Sequence, residues 1–87
     1  MALDFTPGSL VSFVGYWEGN GFSRTALHSG YSALATGRIG SLSGERGVVP
    51  VEGSLGLVVA VLFEGEVLYV ATSEGMGYVF VRYVAPL

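Results

Sequence analysis

The 87-residue chain contains no cysteine and a single histidine, His28. It can therefore form neither a disulfide bond nor a cage of histidine and cysteine ligands around a metal ion. Lysine is also absent. The basic residues are Arg24, Arg38, Arg46 and Arg82, and seven carboxylates leave a formal net charge of -3. Nucleic-acid affinity depends on several basic side chains that neutralise neighbouring phosphates together, so we do not expect DNA or RNA as the main partner.

Long uncharged segments are missing as well. The longest, residues 5–17 and 25–37, have 13 residues each, and residues 53–63 have 11; all are shorter than the roughly 18 to 20 apolar residues that a membrane-spanning helix needs. The first eight residues contain Asp4 and no basic residue, which does not fit a secretory signal peptide. The sequence therefore predicts a protein that is neither secreted nor membrane-bound.

Hydrophobic residues, in contrast, make up 51% of the chain, against 13% charged residues. The length leaves room for one domain, residues 1–87, and a domain of this size buries only about 60% of its unfolded surface. Some apolar surface therefore stays without polar cover. We expect a single domain that associates with itself or with a larger protein lattice.

Residues 9–24 predict a β-hairpin. Asn20-Gly21 is a strong turn signal because both central residues of a type I′ turn need positive φ. Counting outward from that turn pairs Trp17 with Arg24, which brings the guanidinium beside the indole ring. We include both side chains in the expected protein interface.

Residues 25–47 are rich in glycine and serine, and five glycines interrupt them. Because each interior glycine costs a helix about 1 kcal/mol relative to alanine, the favoured interpretation is an extended inserted loop or arm with a short strand near residues 32–36. The alternative is a helix over residues 23–35 with Ser23 as its N-cap. Long inserts in small domains are commonly functional, so we expect partner contacts here, Tyr31 among them.

Residues 48–87 predict a meander of three antiparallel strands. The strands are residues 57–63, 66–71 and 78–84. Pro50 has no amide hydrogen and restricts residues 48–51 to an edge strand. The strand at 57–63 is apolar at every position, so it is either the central strand of a closed barrel or sandwich or is covered by another subunit.

Alternation along residues 78–84 separates two faces. Tyr78, Phe80 and Arg82 share one face, whose aromatic and arginine content is typical of a protein interface. The opposite face belongs to the core. The expected buried residues are Val11, Phe13, Leu57, Val59, Val61, Val79 and Val81. Together these patterns predict an all-β fold, a small SH3-like or open barrel.

Two segments carry a family resemblance. Residues 7–11 read Pro-Gly-Ser-Leu-Val, and residues 55–59 and 61–70 read Leu-Gly-Leu-Val-Val and Val-Leu-Phe-Glu-Gly-Glu-Val-Leu-Tyr-Val. They resemble small SH3-like barrel proteins common in tailed-phage genomes, over less than half of the chain. Ser9 replaces the usual acidic residue, and residues 15–53 are inserted between the two halves. The resemblance implies a virion component or a protein of unassigned role, and no catalytic residues.

Catalytic patterns are incomplete. His28, Ser29 and Asp4 supply the letters of a nucleophilic triad, but there is no G-x-S-x-G turn. Glu64 and Glu66 flank a turn, whereas a hard cation needs several more oxygen ligands. The glycines match neither phosphate-binding motif. We expect no enzyme activity, no cofactor and no metal.

The sequence therefore favours a structural or assembly protein that acts through protein–protein contacts, such as a capsid decoration (cement) or connector protein of a phage virion. The alternative is an SH3-like or KOW-like nucleic-acid-associated module. The expected location is the virion, or otherwise the cytoplasm. The two functions differ in salt dependence, because phosphate binding weakens steeply with added salt and an apolar interface does not.

Overall fold

A computed structural model describes residues 5–14, 16–18, 21–23, 26–47 and 49–87. Short β-strands make up most of this part of the chain. The strands are β1 (Leu10–Phe13), β2 (Tyr16–Glu18), β3 (Gly21–Ser23), β4 (His28–Ala33), β5 (Ile39–Arg46), β6 (Leu55–Leu62), β7 (Val67–Thr72), β8 (Gly75–Phe80) and β9 (Val84–Pro86). Single turns of 3-10 helix lie at Phe63–Gly65 and Val81–Tyr83.

Seven strands form one antiparallel sheet in the order β5-β4-β8-β7-β6-β1-β9, and β2 and β3 pair separately. The two edges of the large sheet, β5 and β9, do not pair with each other. The expected all-β fold is confirmed. The sheet is open, which is compatible with the open form of the predicted barrel.

The predicted meander is confirmed as β6, β7 and β8. The expected loop after β7 is shorter than predicted, because Thr72 pairs with Gly75 across a two-residue turn. The hydroxyl of Thr72 donates to the Gly75 carbonyl at 2.8 Å and accepts from the Glu74 amide at 3.2 Å. The final strand is also shorter than predicted. The 3-10 turn at Val81–Tyr83 interrupts it, and the chain then crosses to pair β9 with β1.

Residues 25–47 do not form a long loop or the alternative helix; most of them form a hairpin of β4 and β5. Gly37 lies in its turn with φ +81°, a conformation that glycine adopts without strain. A bulge in the ladder places Ser29 opposite Gly44. The Ser29 hydroxyl accepts a hydrogen bond from the backbone amide of Glu45 at 2.8 Å. Strands need only backbone pairing, so the glycines that exclude a helix here are compatible with a sheet.

The hairpin predicted over residues 9–24 forms only over β2 and β3, because β1 pairs with β6 and β9 instead, and the expected register is wrong. Trp17 pairs with Phe22, not with Arg24, so the two residues between the strands are Gly19 and Asn20, which lie outside the described residues. Arg24 also lies outside them. The predicted edge strand at 48–51 is not formed at residues 49–51, where Pro50 is buried instead.

A hydrophobic core lies on one face of the large sheet. Its buried members are Phe5, Val11, Phe13, Leu27, Val58, Leu68, Val70, Val79 and Val84. Val11, Phe13 and Val79 were expected there, and Val61 and Val81 pack against the cluster while remaining partly exposed.

Leu57 and Val59 were expected in the core and are each 42% exposed. Gly56 and Val58, the alternate residues of β6, face inward instead. Gly56 leaves room for Phe13 and Val70, because a Cβ at this position would lie 2.9 Å from the Phe13 ring and 2.5 Å from Val70. A bulge at Val59 then shifts the pairing of β6 with β7.

Candidate interaction surface

The outer face of the large sheet, opposite the core, carries an unbroken row of apolar residues across four strands. Leu10 pairs with Leu57, Leu57 pairs with Ala71, and Ala71 pairs with Met76. Directly paired residues of an antiparallel ladder point to the same face. Leu10 and Met76 are each 51% exposed, so the row faces solvent.

Two more apolar side chains extend this row. Leu55 pairs with Ser12 beside it and is 53% exposed, and Val59 follows Leu57 on the same parity of β6. We call the five exposed side chains the open patch. The open patch consists of Leu10, Leu55, Leu57, Val59 and Met76. None of them is charged, and a contiguous exposed apolar patch often marks a contact surface.

A groove of about 410 Å³ runs beside the open patch. Leu10, Leu55 and Leu57 contribute to its lining, with Val51 and Glu74. Glu74 is the one charged residue among those that line it. The groove therefore suits an apolar group that also carries a positive charge.

The other end of the outer face is covered by the chain itself. Val67 points away from the core, because its neighbour Leu68 belongs to the core, and it is nevertheless fully buried. The ring of Tyr31, on β4, lies 4.9 Å from the ring of Tyr78 and 5.1 Å from that of Phe63. Through Tyr31, the β4–β5 hairpin thus packs against its own sheet.

The expected interface residues fall into two groups. Tyr31 and Tyr78 meet in the aromatic cluster just described, which Tyr69 joins at 4.6 Å from Tyr78. Phe80 and Arg82 meet at the end of β8, where the Arg82 guanidinium lies 4.5 Å from the centre of the Phe80 ring. Trp17 lies in β2, and its side chain is outside the described part of the structure.

Arg82 also stacks on Tyr83, at 5.1 Å from the ring centre. The rings of Phe80 and Tyr83 are themselves 6.3 Å apart, nearly perpendicular. We call these three residues the arginine platform. Arg82 itself is exposed, so the platform presents a positive charge held over two aromatic rings.

Arg38 and Arg82 do not gather into one basic groove in the part of the chain that is described. Arg38 lines a groove of about 330 Å³ together with Glu64 and Glu66. Arg82 lines another of about 330 Å³, again with Glu66. Each cation therefore shares its groove with a carboxylate, which weakens the attraction for phosphate.

The residues considered for catalysis are not assembled into a triad among the described residues. His28 and Ser29 are neighbours on one strand, so their side chains leave on opposite faces. The Ser29 hydroxyl is used at the β4–β5 bulge, and Asp4 lies outside the described residues. The described ranges hold no group of three metal-ligating side chains, and none of their helices is long and apolar enough to span a membrane.

Comparison with known proteins yields no match to a protein-family model, to a curated protein or to a solved structure.

Sequence reasoning missed the open patch, although its signal was present. The unbroken apolar run of β6 indicated that both faces of this strand need cover. The sequence pattern nevertheless predicts Leu57 and Val59 in the core. Gly56 was the deciding residue, because only a glycine fits the close approach of Phe13 and Val70.

Proposed function

We propose that this protein is a structural subunit that works by protein–protein contacts, with the open patch as its contact surface. The observation that carries the proposal is the row Leu10–Leu57–Ala71–Met76, which crosses four strands of the outer face and is left exposed. In a monomer this row stays in contact with water and adds no stability, whereas a partner that covers it removes apolar area from water.

The free energy gained by covering the open patch is moderate. Full burial of a Leu, Val or Met side chain is worth about 1.5 to 3 kcal/mol, and the five residues of the open patch are already about half buried. Covering them contributes about 4 to 7 kcal/mol. Association costs about 4 to 15 kcal/mol in lost freedom of motion. The open patch therefore drives association but needs additional contacts around it for a stable complex.

We further propose that the protein is part of a tailed-phage virion, where it serves as a capsid decoration or connector component. The resemblance of residues 7–11, 55–59 and 61–70 to small phage SH3-like barrels supports this. In the proposal the protein has no catalytic task. Outside the particle it is expected in the cytoplasm before assembly.

Co-sedimentation tests the proposal. The protein is centrifuged alone and with purified heads of a phage that encodes it, and Leu55→Ser is compared with Leu34→Ser. Both leucines are exposed to a similar degree, at 53% and 55%, but Leu34 follows β4 at the hairpin turn, away from the open patch.

We expect wild type and Leu34→Ser to sediment with heads or as self-assembled complexes, and Leu55→Ser to lose this behaviour while remaining folded. Equal behaviour of the two variants would contradict the proposal. A protein that stays monomeric, ignores heads and binds duplex DNA with steep salt dependence would instead favour the nucleic-acid module.

A further inference from the structure

The groove beside the open patch and the arginine platform have complementary chemistry. The groove has a largely apolar lining with one carboxylate, that of Glu74. The platform has an exposed guanidinium over two aromatic rings. Aromatic and arginine side chains are the usual anchors of protein interfaces, where they fill apolar pockets and pair with carboxylates.

Neither charge has an ion-pair partner among the described residues. The Arg82 guanidinium stacks on the rings of Phe80 and Tyr83, and although Arg82 lines a groove with Glu66, these two side chains do not form an ion pair. The Glu74 carboxylate has no hydrogen-bond or ion-pair partner in the described part of the structure; only the amide of this residue is bonded, to Thr72. The stacked guanidinium is held in place before binding, which lowers the entropy lost when it docks.

The two sites lie at opposite ends of one strand. Glu74 directly precedes β8, and Phe80 is the last residue of β8. Six residues of extended chain span about 20 Å, a large part of a molecule whose longest dimension is 34 Å. The sites therefore cannot meet within one subunit, and neither blocks the other.

We propose that the groove receives the arginine platform of a second copy of this chain, so that subunits associate head to tail. The contact is heterologous, because two different surfaces meet. It therefore repeats from subunit to subunit and gives a ring or an open filament, according to whether the rotation closes. The inference rests on the proposed function, since it names the partner that covers part of the open patch.

Charge reversal tests this contact. Glu74→Arg and Arg82→Glu are each compared with wild type by sedimentation velocity over a range of concentrations, with circular dichroism to verify folding. Both side chains are exposed, so the variants should fold. Each single change places like charges in the contact, and we expect the association constant to fall by about tenfold to a hundredfold.

Recovery of association when both charges are reversed is the decisive result. The double variant Glu74→Arg/Arg82→Glu should associate more strongly than either single variant, and so should an equimolar mixture of the two single variants, because alternating head-to-tail contacts between them pair opposite charges. Glu45→Arg is the control, because Glu45 is exposed on β5 outside the groove and the platform. It should leave association unchanged.

Failure of this inference is distinguishable from failure of the proposed function. Association that is lost in Leu55→Ser but unaffected by Glu74→Arg and Arg82→Glu would overturn the head-to-tail contact and leave the open patch as the interface. A wild-type protein that binds heads through the open patch but never self-associates would also overturn it. Association that is indifferent to Leu55→Ser would overturn the proposed function itself.

Discussion

The ring of Tyr31 meets the ring of Tyr78 edge to face, with centroids 4.9 Å apart and ring planes at 83°. Only one backbone bridge, His28 to Tyr78, joins β4 to β8. The ring contact therefore supplements a short ladder. Through it, the β4–β5 hairpin covers one end of the outer face and leaves the other end, the open patch, exposed.

Truncation of this contact should loosen the hairpin. Edge-to-face pairs contribute about 0.5 to 1.5 kcal/mol each, and Tyr31 makes two, with Tyr78 and Phe63. We expect Tyr31→Ala to lower the free energy of unfolding by about 1 to 3 kcal/mol in urea denaturation. Leu34→Ala, on an exposed side chain of the same hairpin, should change it little. Equal stability of the two variants would show that the ring contact is not formed.

Adjacent residues of β6 should respond in opposite ways to a charge. Val58 is 1% exposed and Val59 is 42% exposed. Val58→Asp buries an unpaired carboxylate and should unfold a domain of this size. Val59→Asp should remain folded by circular dichroism. The inward parity of β6 would be wrong if Val59→Asp unfolded the protein and Val58→Asp did not.

The sequence predicts the meander of β6, β7 and β8 but not which face of β6 points inward. The meander was predictable because β6, β7 and β8 are apolar runs separated by short turns, which is a local signal. The inward face of β6 was not predictable. Every residue from Leu57 to Leu62 is apolar, so this strand has no apolar–polar alternation that would distinguish its two faces. The close packing around Gly56 decides the parity, and it involves Phe13 and Val70, which are distant in sequence.

The β4–β5 hairpin was not predictable for a different reason. Its strands contain many small residues, such as Gly30, Gly40 and Ser41, so the hydrophobic residues show neither a helical nor a strand period. Pairing across the bulge and the ring contacts of Tyr31 stabilise it. The arginine platform depends likewise on the 3-10 turn at Val81–Tyr83, for which the sequence contains no turn signal.

Steric fit at Gly56 can be tested directly. A methyl group at this position would approach Val70 to 2.5 Å and Phe13 to 2.9 Å, so one of these side chains must move. We expect Gly56→Ala to destabilise the protein by about 1 to 3 kcal/mol, as overpacked cores do. Gly47→Ala is the matched control, since the nearest atom to its Cβ is 3.5 Å away. Thermal unfolding of both variants provides the comparison, and a stable Gly56→Ala protein would disprove the close approach.

The turn between β6 and β7 holds Glu64 in the left-handed region, at φ 55° and ψ 33°, whereas Glu66 is right-handed at φ -75°. Glycine adopts the first conformation without steric cost, but in the second it only increases the entropy of the unfolded chain. Glu64→Gly should therefore be neutral or stabilising, and Glu66→Gly should cost about 0.5 to 1 kcal/mol. Urea denaturation midpoints should rank the variants in that order, and the reverse order would contradict this turn geometry.

Burial of the open patch on assembly is the central claim, and thiol reactivity measures it most directly. The chain has no cysteine, so Leu57→Cys and the control Ser43→Cys, on exposed β5, each provide a single reactive site. Thiol modification depends on access, so the rate at Leu57→Cys should fall by at least about tenfold when the protein self-associates or binds phage heads. The rate at Ser43→Cys should stay the same. A Leu57→Cys protein that reacts as fast in the assembled state as in dilute solution would contradict the account.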